Sequence, residues 1–134
     1  MGLVLRLDDG RRMERDGREW FWLYPKTSVG GYSIYALGFR NGRTKIGTCF
    51  SPRTRFVAHW VNSEGAVTWS HLFGERFFDR PTVLRIERAA INRASLIGSR
   101  IRRTETFNEL SRDDAIRCVR AAIAEARAEV DQST

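Results

Sequence analysis

Residues 34–39 are mostly apolar, with the larger side chains Tyr35, Leu37 and Phe39 at every second position, and this period of two predicts a short β-strand with two different faces. Odd-numbered positions, among them Tyr35, fall on one face, and even-numbered positions fall on the other. Asn41 and Gly42 follow, and both residue types tolerate the positive φ angles of a tight hairpin turn. We therefore expect residues 44–49 to return as a second strand beside the first.

The first of three predicted helices follows this hairpin. Ser51 and Pro52 are typical of a helix start, because serine caps the first turn and proline suits the first helical position. Over residues 53–61, Phe56 and Trp60 lie four apart and form an apolar stripe that can pack inward. This helix is expected to lie against the hairpin.

The remaining elements of the main body are predicted by the same spacing rules. A third strand is expected over residues 66–73, followed by a loop over residues 74–81. The second helix covers residues 82–97 and ends before Gly98, which is a favourable C-terminal cap. The third helix covers residues 111–130 and carries one continuous apolar stripe, so we expect it to cover the sheet.

Two further strands are predicted near the amino terminus, over residues 3–7 and 18–24. The second is rich in aromatic residues, which either pack into the core or form an exposed surface that stacks bases. Together the elements predict an α+β protein with a small central antiparallel β-sheet flanked by helices and an extra N-terminal β-hairpin. We expect residues 1–30 to be a β extension of residues 31–134, within a single compact domain.

Composition narrows the class of protein. With 134 residues and 42% hydrophobic content, the chain is large enough to bury a core. Its apolar runs are too short to cross a bilayer, and charges occupy the amino terminus where a signal peptide needs an apolar segment. We expect a soluble, cytoplasmic protein without a membrane partner.

Two cysteines and two histidines bear on metal binding. Cys49 and Cys118 lack the spacing of metal ligands and are expected to be reduced and buried. No zinc site is expected. His71, at the third strand, is either a nucleic-acid contact or a structural hydrogen-bonding residue.

The net charge of +7 indicates an anionic partner. Residues 40–103 hold 13 of the 23 basic residues and only 4 of the 16 acidic ones, so the excess positive charge coincides with the central hairpin and helices. Nucleic acid is the partner that such a distribution favours. The alternative is that solvated arginines simply keep the chain soluble.

The hairpin and the first helix would bring together a phenol, an amine, a guanidinium and an imidazole, from Tyr35, Lys45, Arg55 and His59. Arg55 and His59 are four apart and therefore lie on one helix face. All four groups can contact anionic oxygens or move protons, so the set suits a phosphate diester better than an apolar ligand.

These residues resemble the GIY-YIG nucleases. Residues 33–35 read Ser-Ile-Tyr at the place of the first triplet, and residues 45–47 read Lys-Ile-Gly at the place of the second. Arg55 and His59 lie eight and twelve residues past the second triplet, at the spacing of the family's helix arginine and histidine. Serine replaces the leading glycine, and Lys45 replaces the second tyrosine, as in a phage-type branch of the family.

The carboxyl-terminal part is similar to the same branch. Residues 104–107 and 110–116 resemble its closing Glu-Trp-Phe segment and last helix, although threonine replaces the tryptophan. The resemblance implies a metal-dependent endonuclease that hydrolyses DNA phosphodiester bonds with one Mg²⁺ or Mn²⁺ ion. Glu87 would take the place of the helix carboxylate that holds the metal, and Glu105 is the alternative.

The resemblance also implies roles for the central cluster, whose expected catalytic members are Tyr35, Lys45, Arg55, His59 and Glu87. Tyr35 would hold or deprotonate the attacking water, which requires nearby positive charge to favour phenolate. Lys45 would tune Tyr35 or relay its proton, and His59 would orient Tyr35 or accept its proton. Tyr32 could substitute for Tyr35 if the strand register were shifted, although it lies on the opposite strand face.

DNA, single- or double-stranded, is the expected substrate, and a homodimer or a partner protein could supply specificity. Candidate DNA contacts are arginines of the basic region: Arg40, Arg43, Arg53, Arg85, Arg88, Arg102 and Arg103. Two alternatives to a nuclease stay open, namely a catalytically inactive nucleic-acid-binding module and a protein-interaction or structural domain.

Overall fold

The structure is a computed structural model that describes residues 3–6, 12–15, 31–101 and 105–132. Within these residues the elements follow in the order β1 (Leu3–Arg6), β2 (Arg12–Arg15), β3 (Tyr32–Phe39), β4 (Thr44–Cys49), α1 (Pro52–Asn62), β5 (Val67–Phe78), α2 (Arg80–Ala94), β6 (Ser99–Arg100), β7 (Thr106–Asn108) and α3 (Arg112–Gln132).

A five-stranded antiparallel sheet in the order β5-β3-β4-β7-β6 forms the centre of the fold. β1 and β2 form an antiparallel hairpin, and β1 runs parallel to β5 at the edge of the central sheet. The predicted α+β class, with a small antiparallel sheet flanked by helices, is therefore confirmed. The N-terminal hairpin is also present, but its second strand is β2, whereas residues 18–24 lie outside the described part of the chain.

The hairpin between β3 and β4 differs from the expected two-residue turn. The backbone N–H of Gly42 donates to the carbonyl of Phe39 at 3.0 Å, and that of Phe39 donates to the carbonyl of Arg43 at 2.8 Å. Only Gly42 has a positive φ, of 86°, so the loop has three residues and ends with a left-handed glycine. Asn41 contributes through its side chain instead, since its Oδ1 accepts from the N–H of Arg43 at 3.0 Å.

Other boundaries also differ from the sequence-based expectation. β5 continues to Phe78 through the predicted loop, because a bulge opposite the start of β3 absorbs the extra residues around Gly74. Asp79 caps α2 by accepting from the N–H of Thr82 at 2.8 Å. The helix ends at Ala94 instead of residue 97, and Ile97 is exposed. β6 and β7 were not predicted, since each has no more than three residues.

The two faces of the sheet are covered by different helices, as the alternation along β3 predicts. Ile34 and Ala36 belong to the core that β3 and β4 form with α2 and α3. Tyr35 and Leu37 belong to the core on the other face, which includes Phe56 of α1. Both cores are packed around side chains with no exposed surface, so packing holds α1 in a fixed position against β3.

Both cysteines are buried, as expected, and neither forms a disulfide. In the part of the chain that the structure describes, no helix has the length and apolarity needed to cross a membrane.

A buried hydrogen bond joins the sheet to the start of the last helix. Thr44, on β4, donates from Oγ1 to the carbonyl of Leu110 at 2.7 Å. Thr44→Val keeps the side-chain shape but leaves this carbonyl without its partner, so we expect a loss of about 1–3 kcal/mol in the free energy of unfolding, measured by urea denaturation. Thr54→Val, at an exposed position on α1, is the control and should change stability little. Equal effects of the two substitutions would contradict the interpretation.

Candidate active site

A hydrogen bond between β3 and α1 lies at the centre of the site. The Tyr35 hydroxyl is 2.8 Å from Nε2 of His59. The Tyr35 side chain is 1% exposed, and its ring packs edge-on against Phe56 with centroids 5.2 Å apart. Because Phe56 and His59 lie three apart on α1, burial of the first holds the second against the tyrosine. The predicted proximity of Tyr35 and His59 is present in the structure.

Gly47 makes room for Tyr35. The two residues are directly opposite each other in the β3–β4 ladder. A Cβ atom on residue 47 would lie 2.6 Å from the Tyr35 hydroxyl oxygen and 2.7 Å from the ring carbon that carries it. The glycine of the Lys-Ile-Gly triplet thus has a steric reason in this chain, because the tyrosine ring lies across its backbone.

Lys45 lies on the same strand face as Gly47, one pleat nearer the hairpin loop, and forms an ion pair across the β4–β7 boundary. Its Nζ is 3.0 Å from the carboxylate of Glu105. Glu105 is fixed by its backbone as well, since its carbonyl accepts from the N–H of Ile46 at 3.1 Å. The two candidate residues are therefore in direct contact.

Glu87 approaches from the opposite face of the sheet, on α2. Its carboxylate accepts a hydrogen bond from the side chain of Thr48, on β4. Burial raises the pKa of Glu87, and the nearby negative charge of Glu105 raises it further, whereas the Thr48 bond and Lys45 oppose the shift. Both candidate metal ligands thus meet near β4, within electrostatic reach of each other.

Burial controls the protonation of the central pair. It raises the pKa of Tyr35 well above its ordinary value of 10.0, and the opposing effect of Arg55 is smaller. The pKa of His59 is lowered from 6.5 to about 4, mainly by burial and to a smaller extent by the positive charges of Lys45 and Arg55. At neutral pH the bond therefore joins a phenol to an uncharged imidazole. A phenolate at Tyr35 would require nearby positive charge to lower its pKa by more than burial raises it. This condition is not met.

Arg55 lies at the exposed side of the cluster. It stands at the wall of an open depression of about 360 Å³, formed by the end of β4 and the first turns of α1 and α2. Its guanidinium lowers the pKa of Tyr35 and of Cys49, although burial dominates and raises the pKa of Cys49 to about 12. Arg55 thus links the buried pair to a solvent-accessible surface.

The other predicted DNA contacts are dispersed. Arg40 and Arg43 are exposed in the β3–β4 loop, Arg53 is half-buried on α1 and Arg88 is exposed on α2. Arg85 pairs with Glu129 of α3 at 3.5 Å, away from Tyr35. Residues 102 and 103 lie outside the described part of the chain.

Two alternatives from the sequence concern residues on the α2–α3 side. His71 is buried on β5 against Phe73, with ring centroids 4.3 Å apart, so its position favours the structural interpretation. Tyr32 packs beside that same core and lines the depression next to Arg55. It does not take the place of Tyr35 in the bond to His59.

A divalent metal can be tested against the groups present. Carboxylate oxygens are the ligands that Mg²⁺ prefers, and it is often held by only one or two of them. Glu87 and Glu105 offer two such groups whose mutual repulsion a cation would relieve. In the described residues no three His, Cys, Asp or Glu side chains cluster as a cage. The donor set fits a metal held mainly by its substrate and by water.

Sequence reasoning missed three residues around the site, namely Thr48, Phe50 and Arg80. Thr48 follows Gly47 and points to the other face, so only the packing of α2 reveals that it reaches Glu87. Phe50 and Arg80 border the depression from the ends of two different elements. The one available signal in the sequence was Phe50, which follows a predicted strand directly and has no place in a predicted core.

No protein-family model matches this chain, and neither the curated proteins nor the solved structures contain a match. The resemblance to GIY-YIG nucleases therefore rests on sequence motifs alone and stays a prediction.

The pKa of His59 can be measured by an NMR pH titration of its imidazole protons. We expect a value near 4, and Lys45→Met should raise it toward 6.5, because the substitution removes a cation and frees Glu105. Glu105→Gln should have the opposite effect. A value near 6.5 in the unaltered chain would contradict the burial of His59.

The same shift predicts how stability depends on pH. Because the folded-state pKa lies below the unfolded value of 6.5, the unfolded chain binds more protons between pH 6.5 and about 4. The contribution of His59 to the free energy of unfolding therefore falls by about 1 kcal/mol as pH is lowered through this window. This figure allows for the partial exposure of His59. Urea unfolding of the original chain and His59→Gln at pH 7 and 5 measures the difference. An identical pH dependence in both proteins would exclude this contribution.

Gly47→Ala should displace the Tyr35 ring. The added methyl group meets the ring backed by a rigid core, so we expect a loss of about 1–3 kcal/mol in stability and a changed near-ultraviolet circular dichroism spectrum. The His59 pKa should rise as the imidazole loses its buried partner. An alanine variant with unaltered spectrum and His59 titration would show that the close contact is not required.

Proposed function

We propose that this chain is a metal-dependent endonuclease that hydrolyses DNA phosphodiester bonds, with the proton of the attacking water passing through Tyr35. The observation that carries the proposal is the bond between the Tyr35 hydroxyl and Nε2 of an uncharged His59, beside Arg55 and two carboxylates. This set supplies a proton acceptor, a cation for a phosphate and oxygen ligands for a metal.

The pKa values favour His59 as the final proton acceptor. A phenol with a raised pKa is a poor base, whereas an uncharged imidazole can take a proton. With the ring proton of His59 on Nδ1, Tyr35 donates to Nε2. As the water oxygen bonds to phosphorus, the bond from phosphorus to the 3′-oxygen breaks, one water O–H bond breaks toward the tyrosine oxygen, and the tyrosine proton moves to Nε2. The departing 3′-oxygen takes a proton from solvent. The phenol is unchanged at the end of the step, and the imidazole carries the proton.

Lys45 has a supporting role in this scheme. Its charge helps to keep His59 unprotonated, and its ion pair with Glu105 orients that carboxylate. Arg55 is exposed and can donate two hydrogen bonds to a phosphate, which stabilises the charge that develops during hydrolysis.

Glu87 would hold the divalent metal, with Glu105 as a nearby second carboxylate. A bound Mg²⁺ or Mn²⁺ ion supplies charge stabilisation for the phosphate oxygens and the departing 3′-oxygen. The hydrogen bond from Thr48 orients Glu87, and the partial burial of Glu87 strengthens its interaction with a cation.

Cleavage of plasmid and of single-stranded and duplex oligonucleotides, with Mg²⁺ or EDTA, tests the proposal. Glu87→Gln should lower the rate at least about 100-fold, because it weakens metal and phosphate binding. Tyr35→Phe should lower it about 100-fold or more, because it interrupts the proton path while keeping the ring. His59→Gln should behave like Tyr35→Phe.

Glu129→Gln is the matched control for Glu87→Gln, since Glu129 is exposed on α3 and pairs with Arg85. It should cut at the original rate. Salt-sensitive DNA binding without metal-dependent cleavage would instead support an inactive nucleic-acid-binding module. Cleavage that survives both Glu87→Gln and Tyr35→Phe would refute the assigned chemistry.

A further inference from the structure

The depression beside Arg55 is lined by both aromatic rings and guanidinium groups. Tyr32 and Phe50 form one wall, with ring centroids 5.5 Å apart and an interplanar angle of 63°. Phe50 is 50% exposed although it is a large apolar residue. Arg55 and Arg80 add two guanidinium groups, from the starts of α1 and α2. An aromatic surface and two cations therefore share one open cavity.

The other described lining residues are Thr48, Cys49, Val83 and Leu84, and no carboxylate is among the lining residues that the structure describes. Buried Cys49 and Val83 give the depression an apolar side, whereas Leu84 is partly exposed at its border. The volume of about 360 Å³ lies at the lower end of small-molecule sites. It suits a single nucleotide rather than a double helix.

Nucleic acid chemistry explains why these groups occur together. A base can stack on an exposed aromatic ring only when its own face is accessible, as in single strands or unpaired positions. The phosphate attached to that base carries a charge that guanidinium groups bind. Inside a duplex, neighbouring bases cover both faces of each base, and the ring of Phe50 has nothing to stack on.

We propose that this depression binds one unpaired base of a DNA strand, stacked on Phe50, with its phosphate at Arg55 and Arg80. The inference rests on the proposed function, because it takes DNA as the ligand and the phosphate at Arg55 as the one that is cut. It adds a substrate class to that function, namely single-stranded DNA or a duplex with an unpaired position.

Binding in EDTA separates this inference from cleavage. The probes are a fluorescein-labelled oligothymidylate, a strand of equal length with abasic sites, and a hairpin duplex with an abasic loop, each measured by fluorescence anisotropy at one salt concentration. The oligothymidylate should bind about 10-fold more tightly than the abasic strand, because only the former can stack. Both strands carry the same phosphates, so charge alone predicts equal affinity.

Substitutions at Phe50 test which ring is responsible. Phe50→Ala should remove the preference for the base-containing strand and leave binding of the abasic strand and the hairpin unchanged. Phe50→Trp should retain the preference, because the ring is kept. Leu96→Ala, at a residue that is 88% exposed and does not line the depression, should retain it as well. Circular dichroism confirms that each variant is folded.

The outcomes distinguish this inference from the proposed function. Equal binding of the two strands by the unaltered chain would overturn the base site, even if metal-dependent cleavage is found. A base preference that Phe50→Ala abolishes, in a chain that cuts no DNA, would support the base site and reject hydrolysis. A preference that Phe50→Ala leaves intact would place base recognition elsewhere and overturn the assignment.

Discussion

The close packing of Tyr35 across Gly47 is the constraint on which the rest of the site depends. A tyrosine on a central strand faces a neighbour without a side chain, and its ring therefore lies flat enough for the hydroxyl to reach α1. Phe56 packs against the same ring and fixes the helix. His59 is then held at 2.8 Å from the hydroxyl by packing, so the hydrogen bond needs little additional ordering.

The site combines groups from both faces of the sheet. Tyr35 and Lys45 come from the face that α1 covers, whereas Thr48 and Glu87 belong to the side of α2. Strand β7 pairs with Thr44 and Lys45 of β4, and Ile46 donates to the carbonyl of Glu105 just before β7. In the described chain the remaining residues of β4 pair with β3 alone. At that edge, side chains from the two faces approach one another. The position of β4 at this edge thus explains how the Glu87 carboxylate on α2 influences the pKa of Tyr35, which lies beneath α1.

Burial has a larger influence than the nearby charges on the pKa values of the central pair, Tyr35 and His59. It keeps the hydroxyl of Tyr35 protonated and the imidazole of His59 neutral. Arg55 and Lys45 reinforce the second effect, and Arg55 opposes the first. In a mostly buried pair, desolvation penalises any charged form, and a proton relay through the neutral hydroxyl of Tyr35 avoids a buried phenolate. The expected role of Tyr35 therefore changes from a charged base to a hydroxyl that passes a proton.

Local patterns determined the central strands, the three helices and the pairing of Tyr35 with His59, because alternation and helical spacing specify which side chains share a face. They did not determine the short strands β6 and β7 or the course of β5 past Gly74. Those depend on pairing with distant residues, which local propensity does not encode. The contact of Lys45 with Glu105 and the depression at Phe50 were also decided by tertiary structure alone. Both arise where separate elements converge, and only the folded chain sets those distances.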